Sequence, residues 1–171
     1  MSLDKQIKAI KEIHSEFKKA GVKHRPIIVG KFALTLYTQG MYPANIISLL
    51  YPDLPLLEKI LTELGYKKFA DLWIRDDINV EVSKDFYLLT GTINQIEVDR
   101  EEILNVISIE DLIVDMMKFC VEGDEIVCEL VKMIIRSYYQ FIDFHYLYQR
   151  ITDKRMIPFI KEYKKSAEGV K

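Results

Sequence analysis

Leu3, Ile7, Ile10, Ile13 and Phe17 recur at steps of three and four with Lys, Glu and Ser between them, which predicts an amphipathic first helix ended by Gly21. The short β-branched run Ile27-Ile28-Val29 reads as a strand, Gly30 as its tight exit, and Phe32, Leu34, Leu36 and Tyr37 as a helix closed by Gly40. A second apolar run, Ile46 to Tyr51, predicts the next strand. Tyr51-Pro-Asp-Leu-Pro55 interrupts it, because each proline pushes the preceding residue out of helical geometry. Leu56, Leu57, Ile60, Leu61 and Leu64 mark another helix, ended by Gly65. Tyr66 to Arg75 predicts one strand around Leu72-Trp73-Ile74, Asp76-Asp77 a hairpin turn, and the alternation of Ile78, Val80 and Val82 its return strand. A further extended segment is expected over Phe86 to Ile93, broken by Gly91, and another over Ile103 to Ile107.

From Ser108 the pattern turns helical. Ser108 suits an N-cap with Asp111 as its capping-box partner, and Glu110 complements the helix dipole. Asp124 to Arg150 reads as one long helix with Val127, Leu130, Val131, Ile134, Tyr138, Phe141 and His145 on one face. Tyr139, Phe144, Tyr146 and Tyr148 fall around the other faces, more aromatic surface than one packed stripe requires. Two readings stay open: a helix buried on two sides, or a Tyr- and Phe-rich interface for a protein partner or a second copy. The expected organisation is an α/β core over residues 1–107 and a helical part over 108–171 packed on the same domain.

A hydrophobic fraction of 49% and a charged fraction of 29% suit a folded domain rather than a disordered chain. Lys and Arg number 24 against 26 Asp and Glu, a net charge of -2, so no global field draws the chain to nucleic acid or an anionic membrane. Asp4, Lys5, Lys8 and Lys11 stand where a signal peptide needs its apolar core, and no apolar run approaches the ~20 residues that span a bilayer. The expectation is therefore a soluble, cytoplasmic protein with no membrane contact, in which Cys120 and Cys128 stay reduced on either side of a turn. Lys23, His24 and Arg25 form a small basic cluster, read as a solvated loop. His14, His24 and His145 are too far apart for a zinc site, and no dinucleotide, P-loop or nucleophile-elbow phrase occurs.

The order strand, glycine turn, helix, strand over Ile27 to Tyr51, followed by LLEKILTELGYKKF and the later SIEDL phrase, resembles the nucleotidyltransferase superfamily, in particular its small minimal members. The resemblance implies an α+β fold, a mixed sheet flanked by helices. In that family the first strand ends in a glycine pair or Gly-Ser, and the next strand carries an Asp-x-Asp dyad. Here Gly30-Lys31 falls on the glycine position and Asn45-Ile46-Ile47 on the dyad. The family's third metal-binding carboxylate maps to Glu81, with Asn79 on the same strand face as the fallback. Met116 stands where the family often has a Lys.

Nucleotidyl transfer relies on carboxylates that hold divalent cations against the triphosphate. Asn45 and Ile47 offer at most one neutral carbonyl between them. The leading expectation is a protein that has lost metal-dependent transfer, with no cofactor, and binds a nucleotide or phosphate-like anion at Gly30, Lys31, Asn45 and Glu81, or a partner through its aromatic helix. Lys31 at a helix N-terminus opposes the dipole, and either a salt bridge to Glu81 or a bound anion would compensate. One alternative is an active nucleotidyltransferase with magnesium at a displaced site, for which Asp53 is the spare carboxylate. Another is a structural subunit or homodimer without a ligand.

Overall fold

The computed structural model describes residues 2–100 and 102–169, and within them the chain is a mixed α+β protein. It divides into two compact units, residues 1–107 and 108–171. In the first, α1 (Leu3–Lys19) leads to β1 (Ile27–Val29), α2 (Gly30–Tyr37), β2 (Ile46–Leu50) and α3 (Leu54–Glu63). Five further strands follow: β3 (Lys67–Phe69), β4 (Leu72–Arg75), β5 (Ile78–Val82), β6 (Ile93–Val98) and β7 (Glu102–Ile107). They form a seven-stranded sheet in the order β3-β4-β5-β2-β1-β7-β6. β1 runs parallel to β7 and β2 to β5, and the other neighbours are antiparallel.

Strand periodicity sorts the sheet into two faces. Ile28, Ile47, Leu49, Val80 and Val106 share one face and are fully buried. α1 packs on α3 and β5, burying Ala9, Ile10, Ile13 and Phe17, and the Phe17 ring meets Tyr51 edge-on at 4.9 Å. The opposite face is apolar at Val29, Leu50 and Ile107 but carries Ser48, Glu81, Gln95 and Asn105 beside them. That mixture locates the polar chemistry of this unit.

Two strand expectations change. The stretch 66–75 is a hairpin rather than one strand: Ala70 takes a positive φ of 54°, so Lys67–Phe69 folds back on Leu72–Arg75. The segment expected to be extended over Phe86 to Ile93 holds a 3-10 turn at Phe86–Thr90, and the strand begins only at Ile93. INQIEV alternates poorly, and its pairing with β7 decides its state.

His14 on α1 is 5% exposed, and its Nδ1 lies 2.5 Å from Glu102 Oε1 on β7. Burial pulls its pKa below the ordinary 6.5, outweighing the Glu102 carboxylate, which acts in the opposite direction; Arg25 adds to the lowering. The folded imidazole is thus neutral and donates from Nδ1 to Glu102. An unfolded chain binds a proton here more readily than the folded one, so this contribution is full above about pH 6.5 and is lost as pH falls below it. Melting temperature measured across pH 7.5 to 5 is expected to fall more steeply in the native protein than in His14→Gln.

The second unit contains α4 (Ile109–Cys120), α5 (Glu125–Ser137), α6 (Phe144–Arg150) and α7 (Met156–Glu168). α4 packs on the other three, and α5 also packs on α7. Ser108 caps α4 as expected, its Oγ accepting the Asp111 N–H at 3.1 Å. The Asp111 carboxylate does more than close a capping box. Only 1% exposed, it accepts from the Ser108 hydroxyl at 2.9 Å, the Tyr146 hydroxyl at 2.7 Å and the Arg150 Nε at 2.6 Å.

The long helix expected over Asp124 to Arg150 is two helices. α5 ends at Ser137, and the chain re-enters a helix at Asp143, whose side chain accepts the Tyr146 N–H while Glu110 accepts the Asp143 N–H at 3.0 Å. A capping carboxylate and a contact from α4 override a continuous helical pattern. The expectation of reduced cysteines is also corrected. Gly123, at φ 107°, turns the chain so that the end of α4 meets the first turn of α5, and Cys120 is bonded to Cys128 (Sγ–Sγ 2.00 Å). No helix among the described residues is long and apolar enough to cross a membrane.

Candidate functional site

Gly30 begins α2 directly from the end of β1, with φ at 63°, a left-handed value that suits glycine. A Cβ at this position would lie 3.3 Å from the Ser48 Oγ, so a methyl group here would press on β2. The registers Val29↔Ser48 and Ser48↔Glu81 then line up three strands on one face. Ser48, 8% exposed, donates its hydroxyl to Glu81 Oε2 at 3.2 Å. Ile46, two residues earlier on the same face, is opposite Asn79.

The structure thus joins Gly30, Ser48 and Glu81, and corrects the expected dyad by one residue. Ile47 pairs with Val80 and is completely buried in the core on the other face. Asn45 is exposed just before β2, and its carbonyl accepts from Asn79 Nδ2 at 3.5 Å. A strand alternates with a period of two, so a slip of one residue moves every side chain to the opposite face. The positions facing Gly30 and Glu81 are Ile46 and Ser48. One signal for this was present in the sequence: Ser48 is the single polar residue in Ile46 to Tyr51 and can only be tolerated there with a hydrogen-bond partner.

Lys31 is exposed on the first turn of α2 and forms no ion pair among the described residues. The Lys31 to Glu81 salt bridge does not form, because Glu81 faces Ser48 instead. α2 has no acidic residue in its first turn and no side-chain cap, so Lys31 is the charge nearest those amides in sequence. Asp53 is committed elsewhere: it caps α3 by accepting the Leu56 N–H at 3.1 Å. Among the described residues no group of three or more His, Cys, Asp or Glu is placed to hold a metal ion. Met116, where the resembled family often has a Lys, is buried in α4.

Beside Glu81 a cavity of about 370 Å³ carries charges of both signs, Glu58, Asp71 and Asp85 with Lys68 and Lys84. Lys68 lies 3.8 Å from Glu58 and 5.9 Å from the centre of the Trp73 ring. With Glu81 counted, the lining holds four carboxylates against two ammonium groups, an acidic excess that disfavours an anionic ligand in this cavity.

The aromatic residues expected at an interface make contacts within their own unit. Tyr139 donates to Glu168 at 2.8 Å and its ring is 5.6 Å from Phe144, over which Lys164 Nζ sits at 4.8 Å. Tyr146 is held by Asp111, and Tyr148 is half-buried, which raises its hydroxyl pKa. The apolar side chains left in solvent are different ones, Phe119 at 59% exposure and Ile126 and Phe141 at 77% each. No family model matches the chain, and neither a curated protein nor a solved structure matches it.

Proposed function

We propose that this chain is a nucleotidyltransferase-like protein that has lost metal-dependent transfer and binds a nucleotide or phosphate-like anion without magnesium. The observation that carries the reading is the Ser48 to Glu81 hydrogen bond beside Gly30. In place of two strand carboxylates facing the glycine turn there are an aliphatic side chain, Ile46, and a hydroxyl, Ser48, with one carboxylate opposite. Hard divalent cations need several oxygen ligands with negative charge among them, and one carboxylate does not hold them tightly. Losing a transition-state charge stabiliser in phosphoryl transfer costs ~10³ to 10⁵ in rate. The first-turn amides of α2 and the exposed ammonium of Lys31 are the groups that suit an anion. Glu81 opposes one, which keeps the expected Kd on the order of 1 mM.

Calorimetric titration with each NTP, with and without magnesium, tests this. Weak binding that ignores magnesium and drops about threefold to tenfold in Lys31→Ala is the expected result. Binding that requires magnesium would overturn it in favour of an active transferase. Absence of binding under both conditions would leave a protein-interaction role, with Phe119, Ile126 and Phe141 as the candidate contacts.

A further inference from the structure

A second cavity, of about 550 Å³, lies at the opposite end of β1 from Gly30, where Ile27 begins the strand. Asn105 is in register with Ile27 on one side and Gln95 on the other, so the three side chains stand in a row on one face of the sheet. His24 and Arg25 border the same space, and Ile93 adds apolar wall. Asn94 also reaches the rim, but it is out of phase with this row and gives its amide to the Tyr37 hydroxyl at 3.0 Å.

The chemistry of this lining is one-sided. Its basic side chains are His24 and Arg25, and among the described residues no Asp or Glu contributes to it. Arg25 is half-buried and gives its Nη1 to the carbonyls of Val22 and Lys23, which fixes the guanidinium on its own loop. Nε and Nη2 then remain for another acceptor, and among the described residues Arg25 has no carboxylate partner. A half-buried guanidinium without a counter-ion, two in-register carboxamides and an apolar floor match the two ends of an amphiphilic anion.

We propose that this cavity binds a small organic carboxylate with an apolar body, its carboxylate held by Arg25 and the Asn105 and Gln95 amides and its body on Ile27 and Ile93. The site is separate from the one at Gly30 and does not rest on the function proposed there.

Amide chemical shifts of the full chain titrated with benzoate and with hexanoate test it, with benzamide and hexylamine as neutral and cationic counterparts. The expected result is saturable shifts at β6 and β7 with a Kd on the order of 1 mM, and at least about tenfold weaker binding of benzamide and hexylamine. Arg25→Gln is expected to weaken benzoate about tenfold. Because Arg25 also ties down its loop, Asn105→Leu serves as the second variant and is expected to weaken benzoate severalfold while the spectrum outside the cavity stays native. Three outcomes would overturn the proposal: no saturation at roughly ten times that concentration, equal binding of benzoate and benzamide, or benzoate weakened by Lys31→Ala as much as by Arg25→Gln, which would place the anion at Gly30.

Discussion

Replacing Asp111 with Ala is expected to lower stability by about 3 kcal/mol, the largest loss for any single polar side chain in the helical unit. Asp111 is 1% exposed and takes hydrogen bonds from Ser108, Tyr146 and Arg150, which tie the start of α4 to α6. Removing it strips a carboxylate from a guanidinium that is itself 9% exposed, and the cost is chiefly that of leaving buried donors poorly matched. The pair need not be net stabilising against an apolar alternative. Asp111→Leu combined with Arg150→Met is accordingly expected to recover a good part of the loss, since neither member of the pair is then left buried without the other. Urea denaturation of the single and double variants reads both effects, and a loss below about 1 kcal/mol in Asp111→Ala would refute the central role given to this carboxylate.

Placing carboxylates at the positions that face Gly30 is expected to create a metal site, where among the described residues no group of three or more His, Cys, Asp or Glu is placed to hold one. In Ile46→Asp combined with Ser48→Asp, two new carboxylates join Glu81 on one strand face, because Ile46 and Ser48 are in register with Asn79 and Glu81. Three close carboxylates repel one another, so the variant is expected to be less stable than the native protein without metal. Manganese is then expected to bind with a Kd near 1 mM or below and, at ten times that Kd, to restore about 1.4 kcal/mol, a rise in Tm of roughly 4 °C or more. The native protein should show no such rise. Ile47→Asp is the informative contrast: Ile47 is fully buried against Val80, so an aspartate there faces the core and is expected to cost about 4 kcal/mol or more without gaining metal. Metal-dependent stabilisation from Asn45→Asp with Ile47→Asp, and none from the Ile46 and Ser48 pair, would show that the strand register is wrong.

The local elements whose signals are short-range were legible in the amino-acid order alone. Gly21, Gly40 and Gly65 end helices or turn the chain after them, each at positive φ, and Asp76-Asp77 makes the expected hairpin, because these signals act within a few residues. The Ser108 cap and the apolar stripe of α1 were equally legible. So was the placement of Glu81 away from the buried Ile78 and Val80 side of its strand, since it is the charged residue of an alternating run.

Features that depend on distant partners arise only when the elements pack. Ser48 rather than Ile47 faces Glu81 because the register of β2 between β1 and β5 fixes which of its two faces is core, and an apolar run is equally hydrophobic in either phase. The break between α5 and α6 depends on a Glu110 contact from α4, and β6 depends on its ladder with β7, neither of which the local pattern contains. The Cys120 to Cys128 bond and the row of Ile27, Asn105 and Gln95 have the same origin, since each joins residues whose proximity exists only once the helices and strands have packed. Periodicity specifies which residues want burial; only packing specifies which of the remaining polar groups meet.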